Sequence, residues 1–112
     1  MMASLLLSLL LAAAGTEKAS QDKVIPVTAE RFKFTPALIE LKVGQPVVLE
    51  FTSLDRKHGF QVPDLKIDEI VEPGKVTRVR IVPDKAGTFP FHCDVFCGSG
   101  HESMEGEIVV KP

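Results

Sequence analysis

Apolar and polar residues alternate along most of this chain with a period of two. In IELKV, Ile39, Leu41 and Val43 alternate with Glu40 and Lys42. In PVVLEFT, Val47, Leu49 and Phe51 fall on one face, and in VTRVRIV, Thr77, Val79 and Ile81 oppose Arg78 and Arg80. Period two is the signature of a strand with one buried face. The closing EGEIVV is a further candidate strand. Turn signals stand between these runs at Pro36, Val43-Gly44-Gln45-Pro46, Pro63-Asp64, Pro73-Gly74 and Lys85-Ala86-Gly87. No stretch after residue 20 carries a helical period. Short strands at this spacing predict an all-β fold, an antiparallel sandwich or barrel.

One apolar run breaks the pattern. MMASLLLSLLLAAAG closes on small residues near Ala14 and Ala19, and its core falls short of the roughly 20 residues of a membrane span. The expectation for residues 1–19 is a secretory signal peptide or a short N-terminal anchor. No cysteine follows the run to carry a lipid, and no Lys or Arg precedes the leucines, unlike a typical signal. An exported chain, periplasmic or at the outer face of the cytoplasmic membrane, is expected, and association with that membrane through the N-terminus stays open. Residues 20–30 read as a polar spacer and first strand, and 31–112 as the folded domain.

The 112 residues are enough for one small domain, and 45% hydrophobic with 25% charged residues is a globular composition. A net charge of −2 gives no reason to expect nucleic-acid binding. Acidic residues are concentrated after position 60, which suits a solvated surface and equally the docking of a basic partner. So small a domain commonly needs a disulfide or a metal to supplement its core. Both cysteines of the chain lie in HCDVFCGSGHESM, His92 to Met104.

Cys93, Cys97 and His101 are four apart, with Met104 three further on. On a helix they would share a face, but Gly98 and Gly100 would each cost about 1 kcal/mol there. A loop between the last two strands is therefore expected. A Cys93–Cys97 disulfide is one reading, though it closes a short loop and leaves His101 and Met104 unexplained. Zinc is a second, and it gains nothing from a thioether. Copper uses more of the residues, because thiolate, thioether and imidazole all suit it. With His58 from RKHGF, at the end of a strand, the set has five side chains. That is too many for one tetrahedral ion and about right for two coppers bridged by two thiolates. Phe60, Phe91 and Phe96 are candidates for an apolar wall around the site or plain core residues. His92, next to Cys93, is a bystander or lies near an electron exit. No residue set suggests acid–base or nucleophilic catalysis, so the chain is not read as an enzyme on its own.

At this point the sequence resembles a known family, the copper domain of subunit II of haem-copper oxidases and the similar domain of nitrous oxide reductase. CDVFCGSGHESM matches the family's Cys-x3-Cys-x3-His-x2-Met, HGFQVPDLKI supplies the upstream histidine, and the likeness runs from about Phe32 to the C-terminus. The resemblance implies a cupredoxin-like Greek-key sandwich carrying a binuclear CuA copper centre. It implies bridging thiolates from Cys93 and Cys97, one imidazole per copper from His58 and His101, and weak ligands from Met104 and the Val95 carbonyl. The implied partner is a redox protein, a c-type cytochrome or an oxidase or reductase component. Two departures stand out: Val95 replaces a glutamate that helps the oxidases hold magnesium, and the chain has no Trp. A stand-alone CuA-type carrier fits these departures, with a periplasmic copper chaperone or buffer for an oxidase as the alternative.

Overall fold

The computed structural model describes residues 22–96 and 98–112, without the side chain of His101. The leader expected at residues 1–19 lies outside the described residues. Among the described residues no helix is long and apolar enough to cross a membrane.

Strands account for most of the described chain. In order they are β1 (Lys23–Glu30), β2 (Lys33–Thr35), β3 (Leu38–Lys42), β4 (Val47–Ser53), β5 (His58–Val62), β6 (Ile67–Val71), β7 (Thr77–Ile81), β8 (Gly87–His92) and β9 (Glu105–Lys111). Two short 3-10 turns, Pro63–Leu65 and His101–Ser103, complete the set. The strands form a four-stranded sheet, β2-β1-β4-β7, and a five-stranded sheet, β3-β9-β8-β5-β6. The fold is all-β, as the alternation predicts.

β1 pairs in parallel with β4 from Lys23↔Val47 to Ala29↔Ser53, so it is an interior strand of its sheet. β3 runs parallel to β9, and the other pairings are antiparallel. Alternation then fixes which residues meet between the sheets. Val47, Leu49 and Phe51 of β4, Val79 and Ile81 of β7, Ile39 and Leu41 of β3, and Ile108 and Val110 of β9 are all buried. Val43, expected both in the alternating row and at the start of the turn, belongs to the turn: it lies beyond β3, 40% exposed, where the chain bends through Gly44 at φ +80°.

The core is aromatic toward one end. The Phe60 ring lies 4.4 Å from Phe51, 4.9 Å from Phe91 and 5.8 Å from Phe34, centroid to centroid, and Phe34 meets Phe91 edge-on at 5.4 Å. Such tilted and edge-to-face pairs add about 0.5–1.5 kcal/mol each beyond the area they bury. The cluster also forms the floor of what lies above it.

Candidate metal centre

The period of two carries two chemically active residues onto that floor. On β5, His58, Phe60 and Val62 share the inner face, and on β8 the row Phe89, Phe91 continues to Cys93 just past the strand. His58 is 0% exposed and Cys93 2%. β5 pairs antiparallel with β8 at Gln61↔His92. Continuing that register sets Phe60 opposite Cys93 and Gly59 opposite Asp94, which makes His58 a diagonal neighbour of Cys93 on the same inward face. His58 thus opens its strand; the expectation that it ends one is corrected, because the strand it belongs to runs onward through Phe60.

The Gly59 N–H donates to Cys93 Sγ at 3.3 Å, and Sγ lies 3.2 Å from the Val95 carbonyl oxygen. His58 Nδ1 faces the same sulfur at 4.0 Å. Across the loop, the Cys93 N–H donates to the Met104 carbonyl at 3.0 Å, and Met104 is fully buried. A β-carbon on Gly59 would collide with Asp94 Oδ1 and come within 3.0 Å of Val95 Cγ2, so glycine lets the loop lie flat against β5. Gly98 and Gly100 adopt φ of +136° and +101° and rest on the ring of Phe32, where a β-carbon would come within 3.3 and 3.1 Å of ring atoms. Phe32, in the turn between β1 and β2, is therefore a platform for the loop.

The outer edge of His58 is held from the opposite side. Its Nε2 lies 2.7 Å from Asp55 Oδ1, and the same carboxylate accepts the backbone N–H groups of Arg31 at 2.8 Å and Arg56 at 2.6 Å. Partial burial pushes the Asp55 carboxyl upward. The hydrogen bonds from Arg31, His58 and Arg56, with the charge of His58, outweigh it and hold the group at about 2, below the usual 3.8. An ionised carboxylate only accepts, so Nε2 donates to Asp55 and Nδ1 is the nitrogen left facing Cys93. On the loop's outer side, burial together with the hydrogen bond and charge of Asp68 raises the carboxyl of Asp94.

His58, Cys93, the Val95 carbonyl and Met104 are thus gathered at one end of the sandwich. Cys97 and the side chain of His101 lie outside the described residues. Among the described residues no three His, Cys, Asp or Glu side chains cluster to hold a metal. The donors that are described suit copper, since imidazole, sulfur and carbonyl oxygen converge in a closed apolar setting. The 4.0 Å between Nδ1 and Sγ is long for a direct hydrogen bond. It is within reach of an ion bonded to both at about 2.0 and 2.3 Å. Phe60 and Phe91 are fully buried beneath these groups, whereas Phe96 is 73% exposed. His92 is half-buried and aligned with Gln61 and Glu105. Sequence reasoning missed Asp55 and Phe32; the signal for Asp55 was a carboxylate three residues before the histidine, in SLDRKH.

Comparison with known proteins agrees with this architecture. A cytochrome c oxidase subunit 2 of Thermus thermophilus is 40% identical over 85 residues, 76% of this chain and 63% of that protein. A nitrous-oxide reductase of Cupriavidus necator is 30% identical over 101 residues, 87% of this chain and 16% of that protein. The chain therefore spans less than two thirds of either relative. Among solved structures, a chain of a haem-copper terminal oxidase dimer superposes with a TM-score of 0.72 at 31% identity, covering 82% of this chain and 67% of that one. The family described as "Cupredoxin-like domain" matches residues 2–110. With two sheets of this topology and a histidine and cysteine set together at one end, the chain belongs to the cupredoxin-like family.

Proposed function

We propose that this chain is an exported copper-binding electron carrier with a binuclear CuA-type centre. The observation that carries the reading is the placement of His58 and Cys93. They are distant in sequence, lie on neighbouring segments, and both point inward, with Nδ1 and Sγ 4.0 Å apart. Cys93 and Cys97 would bridge the coppers, His58 and His101 would each cap one, and Met104 and the Val95 carbonyl would be weak ligands. Bound copper supplies the one-electron redox couple.

The chain's own residues do the rest. Asp55 orients the His58 ring, and the Gly59 N–H donates to the Cys93 sulfur and helps fix its position. Phe60 and Phe91 exclude water from below. A copper chaperone needs an open, exchangeable site, and the near-complete burial of His58, Cys93 and Met104 favours the carrier. The relatives act within larger assemblies, so the partner of this chain is taken to be a c-type cytochrome or an oxidase or reductase component.

The test is copper loading of the reduced chain, followed by metal counting and an electron paramagnetic resonance spectrum. Two coppers per chain with a seven-line hyperfine pattern is the expected result, since one electron is shared by two equivalent nuclei. One copper with four lines, or colourless and weakly held copper, would overturn the binuclear centre.

A further inference from the structure

The turn that holds His58 also shapes the surface beside it. Asp94 and Val95 lie against Gly59, so the loop that carries Phe96 runs beside the start of β5, which Lys57 immediately precedes. Phe96 is 73% exposed and Leu54, at the start of the same turn, is 60% exposed. Between them lie Arg56 and Lys57, both exposed. Neighbouring charges cancel in pairs: Arg31 with Asp55 at 3.6 Å and Lys33 with Glu30 at 3.9 Å. Arg56 and Lys57 have no ion-pair partner among the described residues. Two exposed apolar side chains, and two cations without an ion-pair partner among the described residues, thus belong to the turn that leads into His58 and the loop that follows Cys93.

On the outer face of the sheet that carries His58 the sign reverses, with Asp68 hydrogen-bonded to Asp94, which lies against Gly59 of β5. A partner with acidic residues around its own redox group would be attracted to the Arg56–Lys57 edge and repelled from the Asp68–Asp94 face. A basic partner would be directed the other way.

We infer that Leu54, Arg56, Lys57 and Phe96 form the docking surface for an acidic redox protein, which exchanges electrons with the site through the His58 edge. This identifies the partner's chemistry and rests on the copper reading above. The apolar pair supplies contact area at the point of closest approach. The cations set the orientation and the rate of encounter, effects that fade as salt screens them.

The test uses the full chain and its Arg56→Glu/Lys57→Glu variant. Arg56→Gln/Lys57→Gln serves as the milder form should the reversal fail to fold, and Lys23→Glu/Lys85→Glu applies the same charge change at the opposite end. Reduced, copper-loaded protein is oxidised by hexacyanoferrate(III), an anion, and by tris(phenanthroline)cobalt(III), a cation. At low ionic strength the reversal at Arg56 and Lys57 should slow the anion about tenfold and speed the cation, and the change at the far end should do much less. Equal effects from both ends, or no effect from either, would overturn the surface.

In parallel, the copper-free chain is titrated with a deca-glutamate peptide and followed by amide NMR shifts. Shifts at Leu54, Arg56, Lys57 and Phe96 that vanish in the reversal variant support the surface. A response to phosphatidylglycerol vesicles that depends on Arg56 and Lys57, with none to the peptide, would reassign it to a membrane. Because the peptide arm needs no copper, a failure of the copper reading and a failure of the docking surface give different results.

Discussion

Replacing Gly106 by alanine is expected to destabilise the domain by about 3 kcal/mol. In thermal unfolding this is a fall in Tm of roughly 15 °C. Gly106 lies directly across from Phe91 in the β8–β9 ladder, and the Phe91 ring covers it. A β-carbon there would collide with the Ala37 carbonyl oxygen and meet Phe91 Cζ and Cε1 at 2.5 and 2.7 Å. Neither neighbour can yield cheaply. The Ala37 carbonyl accepts the Glu107 N–H at 2.8 Å and so starts the β3–β9 pairing. Phe91 is fully buried and wedged against Phe34 and Phe60. Any shift of Phe91 carries upward to Cys93, two residues on, so the variant should also hold copper more weakly than the parent at the same temperature. A Tm within 2 °C or so of the parent would mean that the ring swings aside without loss, and the aromatic floor would not be the rigid element described here.

How legible this was in the sequence depended on whether a residue's environment is set by its neighbours in the chain. β4, β7 and β9 could be read because each presents two or three apolar residues at alternate positions, and Val47, Leu49, Phe51, Val79, Ile81, Ile108 and Val110 are buried as that pattern requires. β6 could not, since in IDEIV only Val71 is buried, as befits an edge strand with one partner. β1 owes its interior place to a parallel pairing with β4 that has no local signature. The position of the loop between β8 and β9 followed from two glycines and flanking strands. Where His58 stands in its strand did not, because that depends on a pairing with residues more than thirty positions away. Phe96 looked like a wall residue only because aromatics usually are buried; in a loop whose inward positions go to Cys93 and Met104, it faces out. Asp55 was hidden for a different reason. Its role needs the turn from Ser53 to Arg56, closed by a hydrogen bond from the Ser53 hydroxyl to the Arg56 carbonyl, and composition carries no trace of that.

Asp55 carries the second large effect. Asp55→Ala should weaken copper retention by about 10- to 100-fold in competition with a chelator, the usual consequence of removing the group that orients a metal-bound histidine. Asp55→Asn should fall between the variant and the parent. Its single carbonyl oxygen must replace two carboxylate oxygens, of which Oδ1 serves His58 and the Arg56 N–H while Oδ2 serves the Arg31 N–H. At least one of these donors would then face an amide NH2. The carboxylate also predicts a pH dependence for the copper-free chain. The folded-state value of about 2 lies below the ordinary 3.8, so the folded protein holds the charged form more tightly than the unfolded chain does. The stability this adds is complete above the unfolded value and is lost as pH falls through about 2. Urea unfolding of the parent between pH 4 and pH 2 should therefore decline more steeply than that of Asp55→Asn, which has no charge to lose. If the alanine variant holds copper as firmly as the parent while its acid limb flattens as expected, Asp55 braces the turn alone, and the orientation of His58 must come from the packing of Phe60 and Cys93 around it.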